Sequence, residues 1–295
     1  MRLVSGERWR AGGDLRCILP RVAALVVLWI TAVMITLTAA TYYHSVNSFG
    51  ADAHAFWLSG HTPNLYGLAP GKRDAFLYSP TFALAIRPLT LMPWPAFFAL
   101  WAAVEAAVIA WLLKPLGFVW GAPCFLLCTT ELFLGNVNGL FALVILFGFR
   151  YPGLWAFPIL TKILPGIGAL WFVVRGEWRS AAIVAVATAA LAVPTMLLAP
   201  DLWLAWLRFL HAQSGAITPN STIRLVAGFA LVVVAARKDW RVLLPLVVFL
   251  ATPVVSSATL FSLLAATPRL WPRARSTSPT ADSLPAETEA TGSSF

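Results

Sequence analysis

The sequence predicts an all-α, polytopic membrane protein, and three observations lead there. The 295 residues are 59% hydrophobic and only 11% charged, with a mean hydropathy of +0.78; a soluble domain carries about 25% charged residues. Apolar runs recur along most of the chain, and such runs satisfy their backbone in lipid as helices. The short alternating segments of a transmembrane barrel are missing. The formal charge of +9 does not point to nucleic acid, because the Lys and Arg sit in short loops and at the N-terminus, where they orient helices.

The chain starts with MRLVSGERWRAGGDLRCILPR, five Arg against two acids, so residues 1–20 read as a basic cytoplasmic segment. RVAALVVLWITAVMITLTAA (21–40) is long enough to span. Bulky Tyr42, Tyr43 and His44 follow it without an A-x-A site, so it reads as an uncleaved first span rather than a signal peptide. Residues 42–78 form a first outside loop. Further spans are predicted near 79–92, 94–113, 117–134, 137–150, 153–174, 180–199, 222–236 and 241–267. The last contains Thr252-Pro253 and reads either as one span or as two short helices, for a bundle of about nine or ten. The segments 79–92 and 137–150 are short for a roughly 30 Å core and read as broken or partly spanning. Between 180–199 and 222–236 lies a second polar loop, 200–221.

RGEWR (175–179) and RKDWR (237–241) are the densest basic loops. Alternate crossing from an inside N-terminus puts both inside, and puts 42–78 and 200–221 outside together, where a site can assemble. Arg87 reads as an anchor at the cytoplasmic end of its span. The membrane domain is 21–271. The Ser/Thr/Pro/Ala/Glu-rich tail 272–295 has too few large apolar residues for a core and reads as disordered. Cys124 and Cys128 share a helix face and read as packing residues, with no third ligand nearby for a metal.

The first outside loop holds GADAHAFWLSGHTPNLYG (50–67). Ala53, Phe56 and Trp57 fall at i, i+3 and i+4, predicting a short amphipathic helix over 51–60 on the outer surface, ended by Gly60 and Pro63. Asp52 is in its first turn. There an acid is either stabilised by the helix dipole or placed to take a proton from an acceptor hydroxyl as that hydroxyl attacks a sugar.

Further motifs follow in order: FLYSP (76–80), GNVN (135–138), KILP (162–165) before a basic loop, and NST (220–222) at the second outside loop. In that order, with Asp52 on the first outside loop, the chain resembles glycosyltransferase family 87, the polyprenyl-phosphate-dependent membrane glycosyltransferases that include mannosyltransferases. The resemblance spans about 50–230. It implies a GT-C fold, a polyprenyl-phosphate sugar donor, most often mannose, a glycolipid or cell-envelope glycan acceptor, and a site facing outside the plasma membrane. Members are usually longer, and they carry a late S-P-x-S-W-x-H-H stretch. This chain has ATPVVSSATLFSLL (251–264) there, without Trp or His.

On this resemblance Asp52 becomes the general base. Lys162 lies in an apolar run, where a charge is costly and a functional role is the default; it either holds the donor phosphate or pairs with Glu131 or Glu105. Arg224 suits bidentate phosphate recognition or serves as an interfacial anchor. Asn220 and Ser221 fall at the outer mouth of a span. Their sequon abuts the membrane and reads poorly as a glycosylation site. Asn136 and Asn138 either glue helices together or contact sugar, and Glu105 and Glu131 read as helix-pairing acids. His54, Trp57, Tyr66 and Tyr78 line the pocket or the interface. No cofactor is expected. His54 and His61 beside Asp52 raise a divalent metal only weakly, since no three-ligand spacing is present. The rival readings are a transporter or flippase-like protein, which would show internal repeats that this chain lacks, and a non-catalytic relative of the family.

Overall fold

The computed structural model describes residues 11–213, 218–253 and 255–271. The basic segment before Ala11, expected in the cytoplasm, and the tail from 272 lie outside the described residues. Within them the elements are all helical. Among the described residues, four helical stretches are long and apolar enough to cross a membrane: Ile18–Ser45, Trp94–Leu127, which Gly117 at φ 67 divides into two helices, Trp178–Leu198 and Pro219–Lys238. Three shorter apolar helices, Asn138–Phe147, Leu164–Val174 and Arg241–Ala251, fill the space between them. The all-α membrane architecture expected from composition is what the chain adopts.

In order, α1 is Ala11–Ser45, α2 Ala51–Leu58, α3 Pro80–Thr90, α4 Trp94–Leu113, α5 Gly117–Leu127, α6 Thr129–Leu134 and α7 Asn138–Phe147. Then come α8 Ala156–Lys162, α9 Leu170–Val174, α10 Trp178–Leu198, α11 Pro200–Gln213, α12 Pro219–Lys238, α13 Leu244–Ala251, α14 Ser257–Leu264 and α15 Thr267–Leu270. Short 3₁₀ segments join several of them.

Two apolar segments do not behave as single spans. The 11 residues of α3 rise only about 16 Å, half of a hydrocarbon core. Its N-cap Ser79 donates to the Leu160 carbonyl, and the turn after it runs straight into α4. The first turn of α4 packs on α2: a side chain at Gly50 would meet the Trp94 ring at 2.8 Å, and Trp57 Nε1 donates to the Met92 carbonyl at 2.8 Å. So residues 80–93 return to the end from which they started, and Arg87, exposed on α3, is not at the opposite end as expected. One consequence is that α5 runs parallel to α1, with Trp29 bonded to the Val119 carbonyl and Thr36 to the Leu126 carbonyl. Alternate crossing of every apolar segment would have made them antiparallel.

The second exception is 153–174, expected as one span. It is a re-entrant hairpin. Gly166 lies against Ile159 and Gly168 against the Trp155 ring, so α8 climbs to Lys162 and the chain turns back through Leu164–Ala169 into α9. The reversal occurs at Ile163, at φ 55. Each of the two segments loses its one crossing, so the parity survives. Arg175 bonds to the Ala236 carbonyl at 3.0 Å, bringing the two basic loops together at one end. Tyr66 and Phe209 meet at 5.7 Å between ring centres at the other end, joining the two polar loops. The second of those loops is largely helix: α11 buries Trp203 and Trp206. Of the two readings of Thr252-Pro253, the second holds: residues 241–267 divide there into α13 and α14.

A topological test follows. In a chain with the native cysteines replaced, single cysteines at Leu91, Asn64 and Trp178 are challenged with a membrane-impermeant maleimide. Positions 91 and 64 are expected to label from the same side and 178 from the other. Labelling of 91 together with 178 would restore α3 as a crossing helix.

Candidate active site

The polar loops, the α8 tip and the turn between α6 and α7 converge on Asp52. Gly50 starts α2 in the left-handed region at φ 71, a conformation suited to glycine, and its N–H bonds to the Phe133 carbonyl at 2.6 Å. Rather than lying on the surface as expected, α2 is sunk into the bundle. Ala53, Ala55 and Phe56 are buried, and the Phe56 ring packs edge-on against Tyr78, Phe82 and Trp101. Small side chains allow this depth: Ala53 rests against Gly135 so closely that a Cβ there would stand 2.5 Å from the Ala53 Cβ.

That depth brings Asp52 to Asn136. The Asn136 amide Nδ2 donates to Asp52 Oδ2 at 2.6 Å. On its other side, Asn136 Oδ1 accepts Lys162 Nζ at 2.8 Å, its neighbour's Val137 N–H at 2.8 Å and, more loosely, the Tyr78 hydroxyl at 3.4 Å. The Asn136 carbonyl accepts Trp101 Nε1 at 3.2 Å. One neutral amide thus joins an acid to a base. Lys162 forms no ion pair with Asp52, Glu105 or Glu131. Its ammonium lies over the Tyr78 and Phe141 rings, 5.5 and 5.8 Å from their centres, where the ring faces are attractive to a cation. Asp52, Asn136 and Lys162 all keep partly open surfaces, so the cluster is reachable.

Burial raises the Asp52 carboxyl above its ordinary range; Lys162 and the Asn136 hydrogen bond pull it back without cancelling the effect. Burial likewise pushes the Tyr66 phenol upward, which keeps it a donor; its hydroxyl bonds to the Tyr78 carbonyl at 2.8 Å. The other expected pocket residues have more local duties. His54 Nδ1 meets Asp74 Oδ1 at 2.6 Å, a partner that the sequence pattern did not suggest, being 20 positions away in a loop. Trp57 fastens α2 to Met92 and carries His61 against its ring, 4.2 Å between centres. Among the described residues, no three His, Cys, Asp or Glu side chains converge as metal ligands.

Asn138 faces away from the cluster. Fully buried, it gives its N–H to Glu131 Oε1 at 2.9 Å and its amide to Glu131 Oε2 and Thr259 at 3.2 and 3.3 Å. Glu131 is therefore bound to the 135–138 turn. Glu105 lies beside Gly139 at the start of α7. Arg224 uses its guanidinium on the Thr252 and Pro253 carbonyls, both at 3.1 Å. Ser221 bonds to Thr218 at the α12 N-cap, and Asn220 is exposed beside it. Nothing bonds Arg224, Asn220 or Ser221 to the Asp52 cluster.

Residues 76–284 match the family model of glycosyltransferase family 87. The chain belongs to glycosyltransferase family 87. No curated protein and no solved structure matches it. Three of the cluster's four members, Tyr78, Asn136 and Lys162, fall inside the matched residues, and Asp52 lies before them.

The raised Asp52 pKa has a checkable sign. A carboxyl whose folded value exceeds its unfolded value holds a proton that the unfolded chain has lost, so stability falls as pH rises from the unfolded to the folded value and then levels. Asp52→Asn does not titrate and can still accept from Asn136. In lipid nanodiscs it is expected to melt above wild type at pH 7, with the gap closing as the pH drops toward 4, about the ordinary Asp value. A gap independent of pH would show that Asp52 is not desolvated.

Proposed function

We propose that this glycosyltransferase moves a sugar, mannose, from a polyprenyl-phosphate donor to a glycolipid or cell-envelope glycan, on the outer face of the plasma membrane and within a GT-C-type bundle. The observation that carries the reading is the Asn136 bridge, which sets a carboxylate and an ammonium on either side of one amide without letting them neutralise each other. Both charges therefore stay available to substrates. Asp52 Oδ2 is held by Asn136, and Oδ1 faces the acceptor. As the acceptor oxygen bonds to the anomeric carbon, its proton passes to Oδ1. The bond from that carbon to the phosphate oxygen breaks, and polyprenyl phosphate leaves with the electron pair. A phosphate is already a good leaving group, so no general acid is needed. The Lys162 ammonium offsets its developing charge. Tyr78 flanks this path. Arg224, Asn220 and Ser221 stand at the same end, and a phosphate role for Arg224 would require it to release the Thr252 and Pro253 carbonyls.

A second reading, a non-catalytic relative, is favoured by one observation. The late segment has neither Trp nor His, and its Thr259 is engaged by Asn138. A transporter would find no support in the collection of polar groups at one end of the bundle rather than at mid-depth.

The test uses the full chain in nanodiscs with polyprenyl-phosphate mannose and an envelope-glycolipid acceptor pool. Asp52→Asn is expected to lower transfer by about 10²–10⁴-fold, the usual worth of a general base, with donor binding kept. Lys162→Met is expected to weaken donor binding, and Asn136→Leu to impair both. Transfer should also fall on the acid side at a pH above the ordinary carboxylate range, because the base must be ionised. Donor binding without transfer in wild type would favour the non-catalytic relative; equal transfer by wild type and Asp52→Asn would remove Asp52 as the base.

A further inference from the structure

A cleft next to the Asp52 cluster has no role in the chemistry above. It opens between α2 and the loop that follows it, with a volume of about 300 Å³. This is the lower edge of the ~300–1,000 Å³ that small-ligand sites occupy, room for one ring. Thr62, Asn64 and Asp74 line it together with the apolar Ala55, Leu58 and Leu68. A hydroxyl, an amide and a carboxylate around a small apolar patch complement a pyranose, whose rim is hydroxyl and whose faces are C–H. None of Asp52, Asn136 and Lys162 lines it.

The polar wall is held in place rather than loose. Asp74 Oδ1 is held by His54 at 2.6 Å. The His54 ring packs on Trp57 and Trp94, 5.7 and 4.7 Å between centres. Asp74 sits at φ 66, a left-handed conformation that Asp adopts more readily than most residues. Among the described residues, no hydrogen bond uses the Asp74 Oδ2 or the side-chain amide of the exposed Asn64, so both are free to bond a ligand.

The position of the cleft on α2 gives the occupant its place. Ala55 is one helical turn beyond Asp52, ~4.5 Å along the axis, and Leu58 is a turn further. We infer that this cleft is a subsite for the acceptor's second sugar, the pyranose linked behind the one whose hydroxyl faces Asp52. The word acceptor rests on the transferase reading; the binding of a pyranoside in the cleft does not. The consequence is a protein that prefers an acceptor of two sugars over one.

The experiment uses the full chain carrying Asp52→Asn, in nanodiscs, so that binding is read without turnover. Methyl α-D-mannopyranoside, methyl α-D-glucopyranoside and an α-linked methyl mannobioside are titrated by ligand-observed NMR. The bioside is expected to bind several-fold more tightly than either monosaccharide. Asp74→Asn, which still offers His54 an acceptor, is expected to weaken bioside binding by about tenfold, the worth of a lost hydrogen bond to a charged group; Leu68→Trp, which fills the cleft from an exposed position, is expected to exclude the second ring, and both are expected to erase that preference. No pyranoside binding would overturn the subsite, and so would a preference that both variants leave intact. If wild type fails to transfer sugar while the bioside still binds in the cleft, the transferase reading fails and the subsite stands. Transfer by wild type without bioside preference would remove the subsite and leave the enzyme.

Discussion

A chain that leaves helical geometry inside a membrane must find partners for the N–H and C=O groups it frees, because lipid offers none. The rest of this structure depends on how that constraint is met. Three breaks, at Gly135–Val137, at Ile163 and at Thr252–Pro253, fall at the same end of the bundle. At the first, the Gly135 and Asn136 N–H groups bond to the Glu131 carbonyl, Val137 bonds to the Asn136 side chain, and Asn138 bonds to the Glu131 carboxylate. Ser79 satisfies the Leu160 carbonyl just before the second. Arg224 covers the carbonyls of the third. Side chains that close these breaks are polar residues the bundle must keep, and one of them, Asn136, bonds Asp52 directly.

The same constraint explains why the bridge is an amide. A carboxylate touching an ammonium in a half-buried site would form an ion pair whose desolvation cost is repaid only by tight mutual contact. Such contact would withdraw both groups from a substrate. A neutral Asn between them gives each a hydrogen bond and leaves each an unsaturated charge. The orientation is forced, since only the NH₂ suits a carboxylate and only the carbonyl oxygen suits an ammonium. Val137 reinforces it by donating to the same oxygen. Asn136 therefore both completes the turn and sets the electrostatics of the cluster.

Much of this was legible in the sequence, and the misses have physical reasons. Hydropathy found almost every apolar segment because lipid demands long apolar runs. It could not tell a span from a hairpin: 153–174 is apolar throughout, and its reversal falls on Ile163, a β-branched residue that gives no hint of a left-handed turn. Nor could it tell that α3 stops short. The two errors cancel in parity, so both polar loops still came out at one end. Lys162 stood out because charge in an apolar run is costly, and Asp52 because it opens the helix of the first outside loop, where the family resemblance implies a base. Asn136 did not, because an Asn between helices has the same signature whether it glues them or bridges a charged pair; its neighbour Asn138 does the former, holding Glu131 and Thr259. Asp74 was missed for lack of any local pattern linking it to His54. α11 was read as part of a polar loop because Asp201, Arg208, His211 and Gln213 interrupt its apolar residues, and its helical character shows only once Trp203 and Trp206 are seen buried together.

The family match begins at residue 76, after α2, so the acid in the cluster stands outside the part of the chain by which the family is known. Geometry links the two. The turn at Gly135, at φ 69, lets Asn136 point to Asp52 and leaves no Cβ to collide with Ala53. The carbonyl of Phe133, one turn earlier, receives the Gly50 N–H and fixes where α2 begins. Two glycines, one on each side of the contact, thus set the depth of α2 and the reach of Asn136 together. A larger residue at either would strain a left-handed backbone, and it would collide with Ala53 of α2 from Gly135 or with Trp94 of α4 from Gly50, disturbing the seat of α2 and the contact of carboxylate and amide. The seat for the acid is built by the family's own residues, which is why an Asp in an otherwise unmatched loop belongs to the same site.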